Sequence, residues 1–194
     1  MDYPEVVLKL PEVLQPMPPR GSFEADAAVS LLIRVVKGDL HVLLVKRVES
    51  PSDPWSGQMA LPGGKPESSD IGLAQTAIRE TFEETNIDLQ SRCRFLGTLG
   101  PFRSTQSPKM KVLVFAVLLE HEPSIELSGE LERFEWISTK DLGGSKVAFQ
   151  FNSQEFPAYI FGDNIVWGLT YRVLKKFADL LERLASTAVE STKN

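Results

Sequence analysis

Cysteine is nearly absent from this chain: Cys93 is the only one in 194 residues. No intrachain disulfide can form, and no thiolate zinc cluster is available. Histidine is almost as scarce, with His41 and His121 alone. A His-rich metal site is therefore excluded, and any metal must be held mostly by oxygen. Positive charge is in short supply too. The chain has 21 Lys and Arg against 26 Asp and Glu, a formal net charge of -5. General nucleic-acid binding relies on a basic field, so no nucleic-acid partner is expected. Long apolar runs are missing as well. The longest, such as "VLVFAVLL" at 112–119, is strand-length and falls far short of the roughly 20 residues of a membrane span. The start "MDYPEVVLKL" lacks a basic segment followed by an apolar one, the pattern of a secretory leader. These absences predict a soluble protein of a reducing, cytoplasmic compartment without a membrane partner.

What is present suffices for one ordinary domain. Hydrophobic residues make up 42% of the chain, enough for a packed core. Residues 1–27 are rich in proline, including "PMPPR" at 16–20, and predict an irregular N-terminal arm lying over the domain, with room for one short helix or strand. A single domain is expected over 28–187, followed by a frayed tail at 188–194. Within the domain, "AVSLLIRVV" and "LHVLLVKR" flank the turn "KGD", which predicts a β-hairpin. "DIGLAQTAIRETFEET" at 70–85 predicts a helix capped by Asp70. Strands are expected at "RFLGTLGPF", at "KMKVLVFAVLLE" and at the end of "SGELERFEWIS". The last helix is expected from near Asp163 to about Ala185, on the spacing of Leu169, Val173, Phe177, Leu180 and Leu184. Strands and helices alternate irregularly, which predicts an α/β fold with a mixed sheet between helices.

The stretch "RETFEETNI" at 79–87 crowds Glu80, Glu83 and Glu84 behind Arg79. On a wheel of about 100° per residue, Ile71, Ala74, Ile78, Phe82 and Thr85 form the stripe expected to face the sheet. The three glutamates then converge on the other side, since positions three and four apart are neighbours. A bare acidic helix face is simply solvated. This one, however, follows the tight turn "LPGG" at 61–64. Carboxylates beside a glycine turn suit a hard cation, which takes oxygen ligands from one or two carboxylates, waters and substrate phosphates.

At this point the chain resembles the Nudix hydrolase family, whose box runs G-x5-E-x7-R-E-U-x-E-E-x-G-U with U aliphatic. The matching stretch is "GGKPESSDIGLAQTAIRETFEETNI" at 63–87. Three positions depart from the pattern. Asp70 stands in for the early glutamate at a spacing longer by one residue, Asn86 replaces the last glycine, and Thr81 replaces an aliphatic residue. The longer spacing, "LLVKR" at 43–47, "SGQMALPGG" at 56–64 and "VWGLTYRVL" at 166–174 resemble the coenzyme A pyrophosphatase branch. Asp53 stands where that branch has a second arginine.

The resemblance implies a Nudix-type α/β/α sandwich and cleavage of a P–O–P bond with Mg²⁺ or Mn²⁺. It implies that Glu80 and Glu84 bind the metal with a carbonyl near Gly63 or Gly64. Glu83 would bind metal or orient the attacking water, and Arg79 would hold the glutamates in place. Glu130, in the loop before the strand that holds Trp136, is the candidate general base, with Glu132 and Glu135 as rivals. Arg47, Arg103, Lys109 and Lys111 are candidates for the remaining phosphates, the two lysines sharing a strand face. Trp55, Phe102 and Trp136 are candidates for stacking on a base. The partner implied is a small nucleotide-type molecule, and a homodimer is compatible with the resemblance. A nucleoside diphosphate linked to a coenzyme A-like group, ADP-ribose or a related moiety, a nucleoside triphosphate, and a non-catalytic nucleotide-binding module remain alternatives.

Overall fold

In the computed structural model of the chain, residues 4–51, 55–104, 106–143 and 146–191 are described, so Asp53 lies outside the described residues. The expected hairpin forms from β1 (Ala27–Val36) and β2 (Asp39–Arg47). Lys37 and Gly38 both take positive φ, 50° and 85°. That geometry matches the right-handed twist of the flanking strands. β3 (Met59–Ala60) pairs with β2, and β4 (Gly63–Gly64) pairs with β1. After α2 (Leu73–Thr85), β5 (Cys93–Arg103) and β6 (Lys111–Leu119) form an antiparallel pair. β7 (Leu131–Ser138) returns to pair with β2.

The seven strands make one sheet in the order β3-β2-β1-β6-β5, with β4 beside β1 and β7 beside β2. Only β1 and β6 run parallel among these pairings. The result is the expected mixed sheet.

The two faces of this sheet carry separate cores because side chains alternate along a strand. Leu31, Ile33, Val114, Ala116 and Leu118 point to one side. Ala28, Leu32, Leu113, Phe115 and Val117 point to the other. The second face is covered by Leu73 and Ala77 of α2. The first is covered by α3 (Gly168–Ser191) and by α1 (Glu5–Val13), which also touch each other. This is an α/β/α sandwich. No described helix is long and apolar enough to cross a membrane.

The arm at 1–27 carries one short helix, for which the sequence left room: α1 buries Val7 and Leu10 completely. Pro11 lies inside it, and the Leu14 amide closes its end on the Leu10 carbonyl. Four expectations on the elements change. The last helix starts at Gly168, because Asn164–Trp167 form β10 and pair with β9 (Gln154–Phe161). With β8 (Lys146–Phe151) these strands make a second, three-stranded sheet. α3 continues to Ser191, beyond the expected start of the tail, and 192–194 lie outside the described residues. Lys109 sits in the turn before β6, so it does not share a strand face with Lys111.

The fourth change concerns α2. Its sheet-facing residues are Leu73, Thr76, Ala77, Thr81, Glu84 and Thr85, whereas Ile71 and Phe82 are 53% and 50% exposed. The expected stripe was ranked by hydrophobicity, but the packing is decided by size and hydroxyl pairing. The Thr81 hydroxyl donates to Ser30 Oγ of β1 at 2.8 Å, and Thr85 Oγ1 donates to the Thr81 carbonyl. Small side chains let the helix sit close to β1. Ala74 and Ile78 of the expected stripe pack at the edge of that core, and the larger Phe82 is left half exposed.

Leu10 tests how far α1 belongs to the fold. Leu10→Ala is expected to destabilise the whole protein by about 2–4 kcal/mol in urea denaturation, as for a buried leucine of a single core. A cost below about 0.5 kcal/mol would show that the arm docks without supporting the sandwich.

Candidate active site

The site is built where α2 meets the turn at Gly63 and Gly64. A side chain at Gly63 would place Cβ 2.3 Å from the Ala28 carbonyl oxygen. One at Gly64 would place it 2.4 Å from Glu80 Oε1. Gly63 therefore requires glycine, for its positive φ and its close pairing with β1, while at Gly64 a side chain would push the Glu80 carboxylate aside. The Gly63 amide donates to Glu84 Oε2 at 2.8 Å. α2 ends at Asn86, which takes the left-handed conformation at φ 59° while its amide bonds the Phe82 carbonyl. Asparagine is the residue that best replaces glycine in that role.

Arg79 is the organiser of the helix surface. It forms a two-pronged pair with Asp70, Nε to Oδ1 at 3.1 Å and a second nitrogen to Oδ2 at 3.0 Å. It also donates to Glu80 and Glu83 at 3.0 Å each and to the Lys65 carbonyl. Asp70 is not the cap of α2; Gly72 holds that place without a side-chain bond. Instead Asp70 is buried and accepts from the Glu67 amide and the Thr76 hydroxyl as well. These bonds, the one from Arg79 foremost, hold its carboxyl below the usual range.

The three glutamates stay neighbours, Glu80 and Glu83 on one Arg79 nitrogen, but only two of them line the cavity. Glu83 is turned to solvent and to Arg79. Glu80 and Glu84 instead line a cavity of about 290 Å³ together with Gly63, Gly64, Lys65, Arg47 and Glu130. Burial pushes the Glu84 carboxyl up to about 7, opposed by the Gly63 amide and reinforced by Glu80. Burial likewise raises Glu80, with Arg79 opposing. Arg47 lies between two carboxylates, 3.8 Å from Glu84 and 3.7 Å from Glu130. The register of β2 against β7 shifts between Lys46 and Arg47. A bulge of this kind re-aims a side chain beside a site.

The other residues singled out from the sequence fall in different places. Glu130 lines the cavity, Glu132 is paired with Lys46 and Arg133 outside it, and Glu135 lines a separate polar groove. Arg103, Lys109 and Lys111 do not line the cavity, although Met110 and Val112 beside them do. Arg103 donates to the Pro108 carbonyl. Trp55 lines the cavity with Met59, Val45 and Leu169. Phe102 packs on the α3 side of the core, and Trp136 lies under the Arg34 guanidinium at 4.1 Å. Sequence reading missed Asp70 as the partner of Arg79 and Lys65 as a lining cation. The run "PGGK" at 62–65 was the available signal for Lys65.

Among the described residues no three acidic, imidazole or thiol side chains gather as a metal centre. The donor set present is two carboxylates beside a backbone turn, Glu84 buried and Glu80 half-buried, both resisting ionisation. That set fits a hard dication held by one or two carboxylates and completed by water and substrate phosphate. It does not fit a closed structural metal site.

Two outcomes are expected. Without metal, Glu84→Gln should stabilise the protein at pH 8, by on the order of 1–3 kcal/mol, because it removes a charge that burial disfavours. Mn²⁺ should raise the melting temperature of the wild type and leave the variant unmoved. Asp70→Asn should cost roughly 1–3 kcal/mol at pH 7, since Arg79 loses its buried partner. The folded Asp70 carboxyl lies below its ordinary value of 3.8. Its contribution is thus present above that value and is lost as the pH falls through the folded one. Urea denaturation of both proteins should show the gap closing toward pH 3.

The family model for the NUDIX domain matches residues 25–159. The uncharacterized Nudix hydrolase NudL of Yersinia enterocolitica is 28% identical over 182 residues, covering 86% of this chain and 87% of its own length. An uncharacterized protein of Schizosaccharomyces pombe is 38% identical over 108 residues, 53% of this chain, but the chain spans only 33% of that relative's length. The peroxisomal coenzyme A diphosphatase ndx-8 of Caenorhabditis elegans is 32% identical over 130 residues, 64% of this chain and 53% of that protein. With the matched domain covering more than half of its length, the chain belongs to the Nudix hydrolase family.

Proposed function

We propose that the protein is a metal-dependent pyrophosphohydrolase that cleaves the P–O–P bond of a nucleoside diphosphate carrying a second moiety. The observation that carries this reading is the pair Glu80 and Glu84, set against the Gly63–Gly64 turn and facing one cavity with Arg47, Lys65 and Glu130. Such a cavity combines acidic oxygens for a cation with two cationic side chains for phosphate. The coenzyme A diphosphatase name of the Caenorhabditis elegans relative supports a coenzyme A-like substrate as the finer reading. A cytoplasmic, reducing setting belongs to the same reading and suits a chain whose only thiol is unpaired.

Glu80 and Glu84 would hold Mg²⁺ or Mn²⁺, which supplies charge to the phosphate oxygens and lowers the pKa of bound water. Arg79 keeps Glu80 oriented, and Asp70 keeps Arg79 oriented. Glu83 braces Arg79 from the solvent side. Glu130 is assigned as the base that accepts the proton of the attacking water. The water oxygen bonds to phosphorus, the bridging P–O bond breaks, and the departing phosphate keeps the electron pair. Arg47 and Lys65 meet the phosphate oxygens, and Trp55 with Met59 offers an apolar wall to the nucleoside. Arg103, Lys109 and Lys111 would act only on groups that extend past Met110.

Incubation with a panel of nucleoside diphosphate derivatives and Mn²⁺ should yield two phosphate-terminated products, read by mass spectrometry. Glu84→Gln and Glu80→Gln should lower turnover ~100-fold or more, with circular dichroism unchanged. Glu132→Gln should leave the rate unchanged, because its partners lie outside the cavity. Full activity in Glu84→Gln would remove the site assignment. Nucleotide binding without turnover would favour the non-catalytic module.

A further inference from the structure

The three-stranded sheet has an unusual outer face. By register, Val147, Phe149, Phe151, Phe156, Ile160, Ile165 and Trp167 all project to one side of it. The ring contacts agree: Trp167 lies 4.6–5.3 Å from Phe149, Phe151 and Phe156. The opposite face carries Tyr159 and Val166, fully buried against α3 and the main core. On the outer face Ala158 and Trp167 are buried as well, under the aromatic cluster, while the strand ends stay open. Val147, Ile160 and Ile165 remain 38%, 41% and 37% exposed. Apolar surface kept at this density beside solvent marks a binding surface.

What covers it is indicated by its position. A second cavity, of about 260 Å³, lies between this face and the segment 56–59. One wall is apolar, with Phe149, Phe151, Ile165, Trp167 and Met59, and the other is polar, with Lys46, Ser56, Gln58, Asp163 and Asn164. Gln58 and Met59 line both this cavity and the catalytic one. The catalytic cavity, at about 290 Å³, falls at the lower limit for enclosing a small ligand, and a nucleoside diphosphate with a second substituent needs more room.

We propose that the second cavity is a specificity subsite for the substrate's other end, and that this end is an uncharged apolar group. The inference rests on the pyrophosphohydrolase reading for its chemistry and on the sheet for its selectivity. The diphosphate sits at Glu80, Glu84 and Arg47, and the second substituent passes Gln58 and Met59 to reach the aromatic face. Ile165, exposed at the cavity's mouth, and Phe151 grip its apolar end.

The test compares two probes, adenosine diphosphate esterified on its terminal phosphate with either a methyl or a hexyl group. The hexyl ester should show a KM lower by about tenfold or more, because each buried methylene adds affinity, with kcat little changed. Ile165→Asp and Phe151→Ala should erase that preference and leave the methyl ester's kinetics as they are. Equal KM values for the two esters in the wild type would overturn the subsite while leaving the hydrolase intact. Calorimetric binding of both esters covers a protein that turns over neither. Tighter binding of the hexyl ester, lost in both variants, would support the subsite even though the hydrolase reading failed. A dimer that Ile165→Asp dissociates in sedimentation would assign the face to a second copy and overturn the proposal.

Discussion

The contact between the Gly63 amide and the Glu84 carboxylate is the constraint on which the rest of the site depends. It joins the turn after β3 to the far end of α2 across 21 residues of chain. For the bond to form, the helix must lie close to β1, so its inner face can carry only small residues. Ala77, Thr81 and Thr85 meet that demand, and Ser30 beneath them offers a hydroxyl rather than a methyl. The same closeness strips water from Glu84 and raises its pKa. A local packing choice thus produces an electrostatic consequence: negative charge held where it is costly, and relieved only by a cation.

Arg79 answers part of that cost but is kept away from Glu84. It bonds Glu80, Glu83 and Asp70, and its strongest geometry is the two-pronged pair with Asp70. Asp70 is itself anchored by Thr76 and the Glu67 amide. The guanidinium therefore cannot swing into the cavity to neutralise Glu84. Arg47 can approach, and at 3.8 Å and 3.7 Å it stands between Glu84 and Glu130 without a close bond to either. Two cations thus have distinct tasks, one structural and fixed, the other facing the cavity.

Much of this was legible in the sequence, and the limits have physical reasons. The hairpin was readable because "KGD" permits positive φ between two β-branched runs. The Arg79-to-Glu84 run and the glycine turn were readable because a box fixes residue types over many positions. The buried face of α2 was not, since a hydrophobicity wheel favours Ile71 and Phe82 over threonines whose hydroxyls find partners only in the folded state. The role of Asp70 was hidden for a similar reason. An aspartate before a helix looks like a cap, and nothing local announces an arginine nine residues on. The start of α3 was misplaced because Asn164–Trp167 satisfy their backbone by pairing with β9, a contact that periodicity does not encode.

The second sheet explains why the site opens where it does. β10 packs beside β3, and Trp55 and Gln58 before β3 line the cavity of Glu80 and Glu84 together with Met59 of β3. The inner face of this sheet packs on the main core through Tyr159 and Val166, and on the outer face three phenylalanine rings lie against Trp167. In the proposed subsite, rings already packed on one another lose less freedom on meeting a ligand. In the proposed reading the acidic pair selects the bond that is cleaved, and the aromatic face selects what hangs from its other side.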